Sequence, residues 1–236
     1  KRDVNSEQSI FVLGLRHLGY TPEAILNWIA LMGWSYDDKA EFFTLDDLIA
    51  KFSLDSLNPS PAAVNYEKLD HYAGLHIRHL SLSDLQSRIK PFFEKAGLVV
   101  NDATLAKVTP LIQGRTVTLD DVVQMAGFFF RDDISPAPPD LLPKGLTPET
   151  ALTALDRSRE ILASLPNFDH STTEPAMRAL ADELGLKPGQ LFGLLRAAVT
   201  GQTVSPPLFE TMEVVGKRRT LARLSQAMGL LEASNY

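Results

Sequence analysis

The sequence predicts an all-α protein, and three observations carry that prediction. Apolar residues recur at helical spacing along almost the whole chain, alternating β-branched runs are scarce, and capping signatures stand in front of one apolar run after another. At 236 residues the chain is long enough for two or three compact units. Its 44% hydrophobic and 22% charged residues are the balance of a folded protein and not of a disordered tail.

The elements follow in chain order. The opening "KRDVNSEQS" has neither the layout of a signal peptide nor the look of a natural start, so the chain reads as part of a longer one. In "TPEAILNWIALMGW", Ile25, Trp28, Ile29 and Met32 lie on one helical face, with Thr21 as cap, Pro22 in the first turn and Gly33 closing. Thr44 with Asp47, Ser81 with Asp84 and Thr118 with Asp121 each pair an N-cap with an acid three residues on, which predicts three further helix starts. A soft boundary falls in "HIRHLSLSD". A stronger one falls in "SPAPPDLLPKGLTPE", residues 135–149, where proline density predicts an extended connector. Three helical units result: 1–80, 81–140 and 141–236. Within the last, "RAAVTGQTVSPPLF" reads as a tight helix-helix corner, with Gly201 ending one helix and Ser205-Pro206 opening the next.

Composition excludes several function classes. With no cysteine there is no disulfide, thiolate zinc site or cysteine nucleophile. No run approaches the roughly 18 apolar residues of a membrane span, so no membrane association is expected. His71, His76 and His79 lack the HExxH spacing of a zinc site, and no glycine-rich phosphate loop follows a strand. Paired acids such as Asp37-Asp38 and Asp132-Asp133 read as solvated caps and turns. The expectation is therefore no catalytic residue, no metal and no cofactor in this stretch. A net charge of −6 is unusual for a freestanding nucleic-acid binder, yet residues 187–236 hold six basic against three acidic side chains. A local positive surplus of that kind suits a polyanion, weakly.

Two arginines stand apart. Arg115, in "LIQGRTVTLDD", sits between a glycine and a predicted helix cap. Arg196 lies near the end of an apolar helix, just before the corner. A guanidinium fork pairs with a base edge or a phosphate, and an ordinary surface arginine is the alternative for each.

The segment "GYTPEAILNWIALMGWS" resembles "GYLPEALLNYLALLGWS" of bacterial-type glutamyl-tRNA synthetases. The similarity continues through "FFTLDDLIAKFSLDSLNPSPAAVNYEKLDHYAGLHIRHLS" and returns in "GQLFGLLRAAVTGQTVSPPLFETMEVVGKRRTLARL". The resemblance implies a helical stem-contact unit over 1–80, followed by two helical anticodon-binding subdomains over 81–140 and 141–236. It implies that Lys1 and Arg2 are the tail of the family's second ATP motif, so the chain is expected to begin where catalysis leaves off. Arg115 then falls at the loop arginine that the family sets against the third anticodon base. Arg196, Ser205, Pro206 and Leu208 fall where the last unit meets anticodon bases. The implied partner is tRNA-Glu, ATP with magnesium is a requirement of the full enzyme only, and the implied setting is cytoplasmic, with organelles also open. A monomer is expected. The competing readings are a helical protein-interaction module derived from a synthetase and, with least support, an independent helical enzyme.

Overall fold

Helices begin in this chain where a side chain can take up the first unpaired amides. A computed structural model describes residues 11–37, 39–59 and 63–234, and among these it contains twelve α-helices and no strand beyond one isolated bridge between Trp34 and Leu57. The helices are α1 Val12–His17, α2 Pro22–Leu31, α3 Leu45–Lys51, α4 Tyr66–His79, α5 Leu82–Lys95, α6 Asp102–Ile112 and α7 Asp121–Ala126. After them come α8 Pro148–Ser164, α9 His170–Glu183, α10 Pro188–Thr200, α11 Leu208–Val215 and α12 Lys217–Ala233. Thr21 accepts the Ala24 amide, Thr44 and Asp47 form a reciprocal capping box, and Ser81 accepts the Asp84 amide. These three starts match the sequence expectation.

The fourth does not. Helix α7 begins at Asp121, not just after Thr118, and the Asp121 carboxylate accepts the Thr118 amide at 2.7 Å and the Val117 amide at 3.3 Å. The Leu119 amide donates to the Gly19 carbonyl at 2.8 Å, which holds residues 118–120 as a turn. Gly19 has φ +84°, and a β-carbon there would lie 2.5 Å from the Asp120 nitrogen, so only glycine fits this approach.

The chain packs as two compact units, each built from two separate stretches: residues up to 97 with 112–124, and residues 98–111 with those from 125 onwards. These packing units do not coincide with the expected division at 80 and 140. In the first unit α2 packs on α4 around Leu15, Ala24, Ile25, Trp28, Leu69 and Tyr72. Trp28 donates its indole N–H to the Asn65 carbonyl, and Tyr20 donates to Asp70 at 2.5 Å. Burial and that carboxylate push the Tyr20 hydroxyl pKa up. Helix α5 belongs to the same unit because Arg88 grips Glu23 with two nitrogens at 2.9 and 3.0 Å, while also pairing with Asp84. His76 is buried and shares the Asn27 Oδ1 with the Phe43 amide, and burial lowers its pKa.

In the second unit α12 packs along α8 and α10, with α9 and α11 closing the group. The proline-dense stretch is not the extended linker expected from its composition. Pro138–Leu141 forms a 3-10 turn packed on α10 and α12, with Leu141 fully buried, and Gln190 donates to the Lys144 carbonyl at 3.1 Å. Prolines stiffen a segment without deciding whether it is solvated; the leucine between them decides that here.

Candidate nucleic-acid interface

The loop carrying Arg115 is shaped by its neighbours. Gly114 and Arg115 form the turn after α6, where the Arg115 amide returns to the Ile112 carbonyl at 2.9 Å and the buried Thr116 hydroxyl donates to the same carbonyl. Gln113 reaches back to the end of α4, donating to the carbonyls of Ile77 at 3.0 Å and Leu80 at 2.8 Å. Asp121 takes the amides on the other side. Arg115 itself is exposed, at the crest of a turn whose backbone is fixed on both flanks.

The corner after α10 is shaped by its arginine. Gly201, at φ +74°, ends α10 in the left-handed conformation, as the sequence predicts. The next helix starts later than predicted, at Leu208, with Pro207 in the cap position and no side-chain cap. The reason is local: a residue that precedes proline is kept out of the helical region, so Ser205 and Pro206 stay outside the helix. Ser205 is thus no helix cap. Arg196 Nη1 lies 2.5 Å from the Ser205 hydroxyl, 3.2 Å from the Ser205 carbonyl and 2.9 Å from the Pro206 carbonyl. The Ser205 hydroxyl in turn donates to the Pro206 carbonyl at 2.9 Å.

The structure therefore brings Arg196, Ser205 and Pro206 into one hydrogen-bonded group. Leu208 and Ser205 are each only 4% exposed, and Pro206 is buried, whereas Val204 is 77% exposed at the tip of the corner. Arg115 belongs to the other compact unit. Lys1 and Arg2 lie outside the described residues.

Sequence reasoning missed the internal use of the C-terminal cations. Lys217 donates to the Leu165 carbonyl, Arg219 to those of Val215 and Phe129, and Arg223 to those of Val199, Phe128 and Arg131. With Arg196, four of the six basic residues of 187–236 are engaged with the protein's own oxygens. Of these only Arg223 is buried, and bonds to neutral oxygens leave each positive charge in place. The signal lay in spacing: Arg219 and Arg223 stand four apart on α12, on the side of Thr220, Leu224, Ala227 and Leu231, whose members are buried or nearly so.

A separate groove in the first unit is lined by Val12, Ile25, Leu26, Ile29, Pro91 and Phe92, with Arg16, His17 and Lys95 also bordering it. Among the described residues no helix is long and apolar enough to cross a membrane.

Residues 82–228 match the family model described as anticodon binding domain, and residues 1–71 match that of class I tRNA synthetases (E and Q), catalytic domain. The chain is 47% identical over 222 residues to the glutamate–tRNA ligase of Dehalococcoides mccartyi strain CBDB1, covering 92% of this chain and 45% of that protein. It is 44% identical over 223 residues to the glutamate–tRNA ligase of Roseiflexus castenholzii, again covering 92% of this chain and 44% of that protein. Among solved structures, a glutamate tRNA ligase from Elizabethkingia meningosepticum, crystallised with its amino acid, superposes with a TM-score of 0.82 at 27% identity, over 92% of this chain and 43% of that one. The chain thus spans a little under half the length of these relatives.

Proposed function

Because this chain belongs to the anticodon-binding-domain family, in the form carried by glutamate–tRNA ligases, we propose that it recognises tRNA-Glu for a ligase that attaches glutamate to that tRNA. One observation carries the reading: the anticodon-binding match runs from 82 to 228 and takes in both the Arg115 turn and the Arg196 corner. Single-stranded loops are where proteins normally read RNA sequence, because unstacked bases offer their edges and faces.

In this reading residues 1–80 support the inner corner of the tRNA, and 81–140 and 141–236 form the two anticodon-binding parts. Arg115 sets its fork against the third anticodon base. A cytosine there offers a ring nitrogen and a carbonyl oxygen, which a guanidinium can pair with, whereas a guanine would crowd the turn. Arg196 with Ser205 and Pro206 shapes the surface that meets the neighbouring bases. Leu208 acts from the buried side, so its part is to hold the corner rather than to stack on a base. ATP and magnesium serve the whole ligase, and Lys1 and Arg2 are read as the tail of its ATP motif. A cytoplasmic monomer completes the proposal.

A second reading, a helical module that docks a protein partner, is favoured by the apolar groove between α1, α2 and α5. Competition binding at fixed salt separates the two. tRNA-Glu should outcompete the same tRNA with a substituted anticodon by about tenfold or more. Equal affinity for both would overturn anticodon recognition.

A further inference from the structure

We propose that Arg223 is the positioning residue of the corner after α10, holding that corner in register with the segment 128–136 of the same unit. The inference rests on the reading of the corner as an anticodon contact. One guanidinium reaches three backbone carbonyls on two separate pieces of chain. Nη1 donates to Val199 at 2.7 Å, and Nη2 donates to Phe128 at 2.8 Å and Arg131 at 2.6 Å. Val199 lies in the last turn of α10, two residues before Gly201 turns the chain into the corner.

The second piece runs beside that same corner. A β-carbon on Gly201 would stand 3.8 Å from the Ile134 Cβ and 4.0 Å from the Pro136 nitrogen. The base of the corner and the strap alongside it are therefore tied through a single side chain. Arg223 is 2% exposed, and its hydrogen-bond partners are all carbonyls, with no carboxylate among them. Burying a cation in that way is costly, and an apolar side chain would fill the volume more cheaply. What only a planar fork provides is simultaneous hold on separate backbones. Burial lowers the guanidinium to about 10, which still leaves it charged near neutrality.

Arg219 supplies the control. It donates to the Phe129 carbonyl at 2.9 Å and the Val215 carbonyl at 3.0 Å, pinning the 3-10 turn Gly127–Phe130, which also carries the Phe128 carbonyl, without a bond to α10. Arg223→Lys keeps the charge and loses the fork; Arg219→Lys does the same at the neighbouring site. Two readouts on the chain decide the matter. In hydrogen exchange, Arg223→Lys should speed the Gly201 and Gln202 amides by about tenfold, and Arg219→Lys should not. In competition binding, Arg223→Lys should cost about tenfold in preference for tRNA-Glu over its anticodon-substituted form, with Arg219→Lys retaining that preference. Equal acceleration throughout the unit by both variants, with anticodon preference intact, would reduce Arg223 to a general staple and overturn the proposal.

If Arg223→Lys fails to fold, exchange in the unmodified chain with a tRNA-Glu anticodon stem-loop replaces it. Protection should then appear at 200–206 and 128–136 together, and protection confined to one of them defeats the coupling. A wild-type chain with no anticodon preference would refute the reading of the corner instead, while the exchange rates at Gly201 and Gln202 in the variants would still decide the coupling.

Discussion

The Arg115 turn and the Arg196 corner each carry an arginine beside a helix end, yet they are built in opposite ways. At the turn, Gln113, Thr116 and Asp121 hold the backbone and the arginine stands exposed on it. At the corner, the arginine is the holder, with one nitrogen within reach of three oxygens of Ser205 and Pro206. An arginine held up by others can be exchanged without moving the chain; an arginine that holds others cannot. The same residue type is thus carried by its surroundings in one place and braces them in the other.

The largest test of that contrast lies beneath the corner. Leu208→Ala removes a side chain that is 4% exposed at the first position of α11, and should lower unfolding stability by about 2 to 5 kcal/mol. Urea unfolding measures it, and a loss under about 1 kcal/mol would return Leu208 to the surface as a direct reader of bases. Arg196→Ala comes next. Freeing its three acceptors should cost about 1 to 3 kcal/mol of stability and weaken tRNA-Glu binding as well. Loss of binding with the melting temperature unchanged would mean that Arg196 reads a base and braces nothing.

Arg115→Gln should leave stability within about 0.5 kcal/mol of the parent, because the turn is held by other side chains. Its effect belongs in discrimination, where the preference for tRNA-Glu over tRNA-Gln should shrink by about 1 to 3 kcal/mol in a competition assay. Equal weakening toward both tRNAs would assign it to phosphate.

The smallest effect is a pH dependence confined to the second unit. The hydrogen bond to Glu213 raises the His170 pKa above 6.5, and bonds from the His170 amide and ring hold Glu213 below 4.5. The histidine's contribution is complete below 6.5 and fades as pH climbs through its raised value; the carboxylate's is present above 4.5 and fades as pH falls through its lowered one. The link between α9 and α11 is therefore strongest between those limits. His170→Gln should lose stability relative to the parent at about pH 6 and converge with it on the alkaline side, as thermal melts across pH would show. A gap that does not narrow with rising pH would remove the ion pair from the account.

The sequence revealed what is decided within a few residues. The caps at Thr21, Thr44 and Ser81 and the left-handed Gly201 are local bargains between a side chain, or its absence, and adjacent amides. Where two local rules compete the pattern misleads: Ser205 looks like a cap until the prolines after it delay the helix to Leu208. Long-range partners are invisible to spacing. Arg223 meets carbonyls 24, 92 and 95 residues away, so the helical spacing of "GKRRTLARL" can mark it as inward-facing without naming its partners. The sequence offered candidate positions; which of them are buried, as Ser205 and Leu208 are, it did not show.

The interleaved connectivity has a consequence for how the chain is made and how it can be cut. Residues 112–124 complete the first unit, and Val117 packs against the cluster of Leu15, Trp28 and Tyr72, although the intervening 98–111 belong to the second. During synthesis from the N-terminus the first core must wait, partly uncovered, until a stretch of its neighbour has been laid down. A stop codon after residue 97 would release helices α1 to α5 without their closing turn, and a start at 98 would strand 112–124 without the core they complete. No single point of cleavage separates the two units cleanly. A genetic dissection that respects the folding units must graft two segments together, joining 97 to 112.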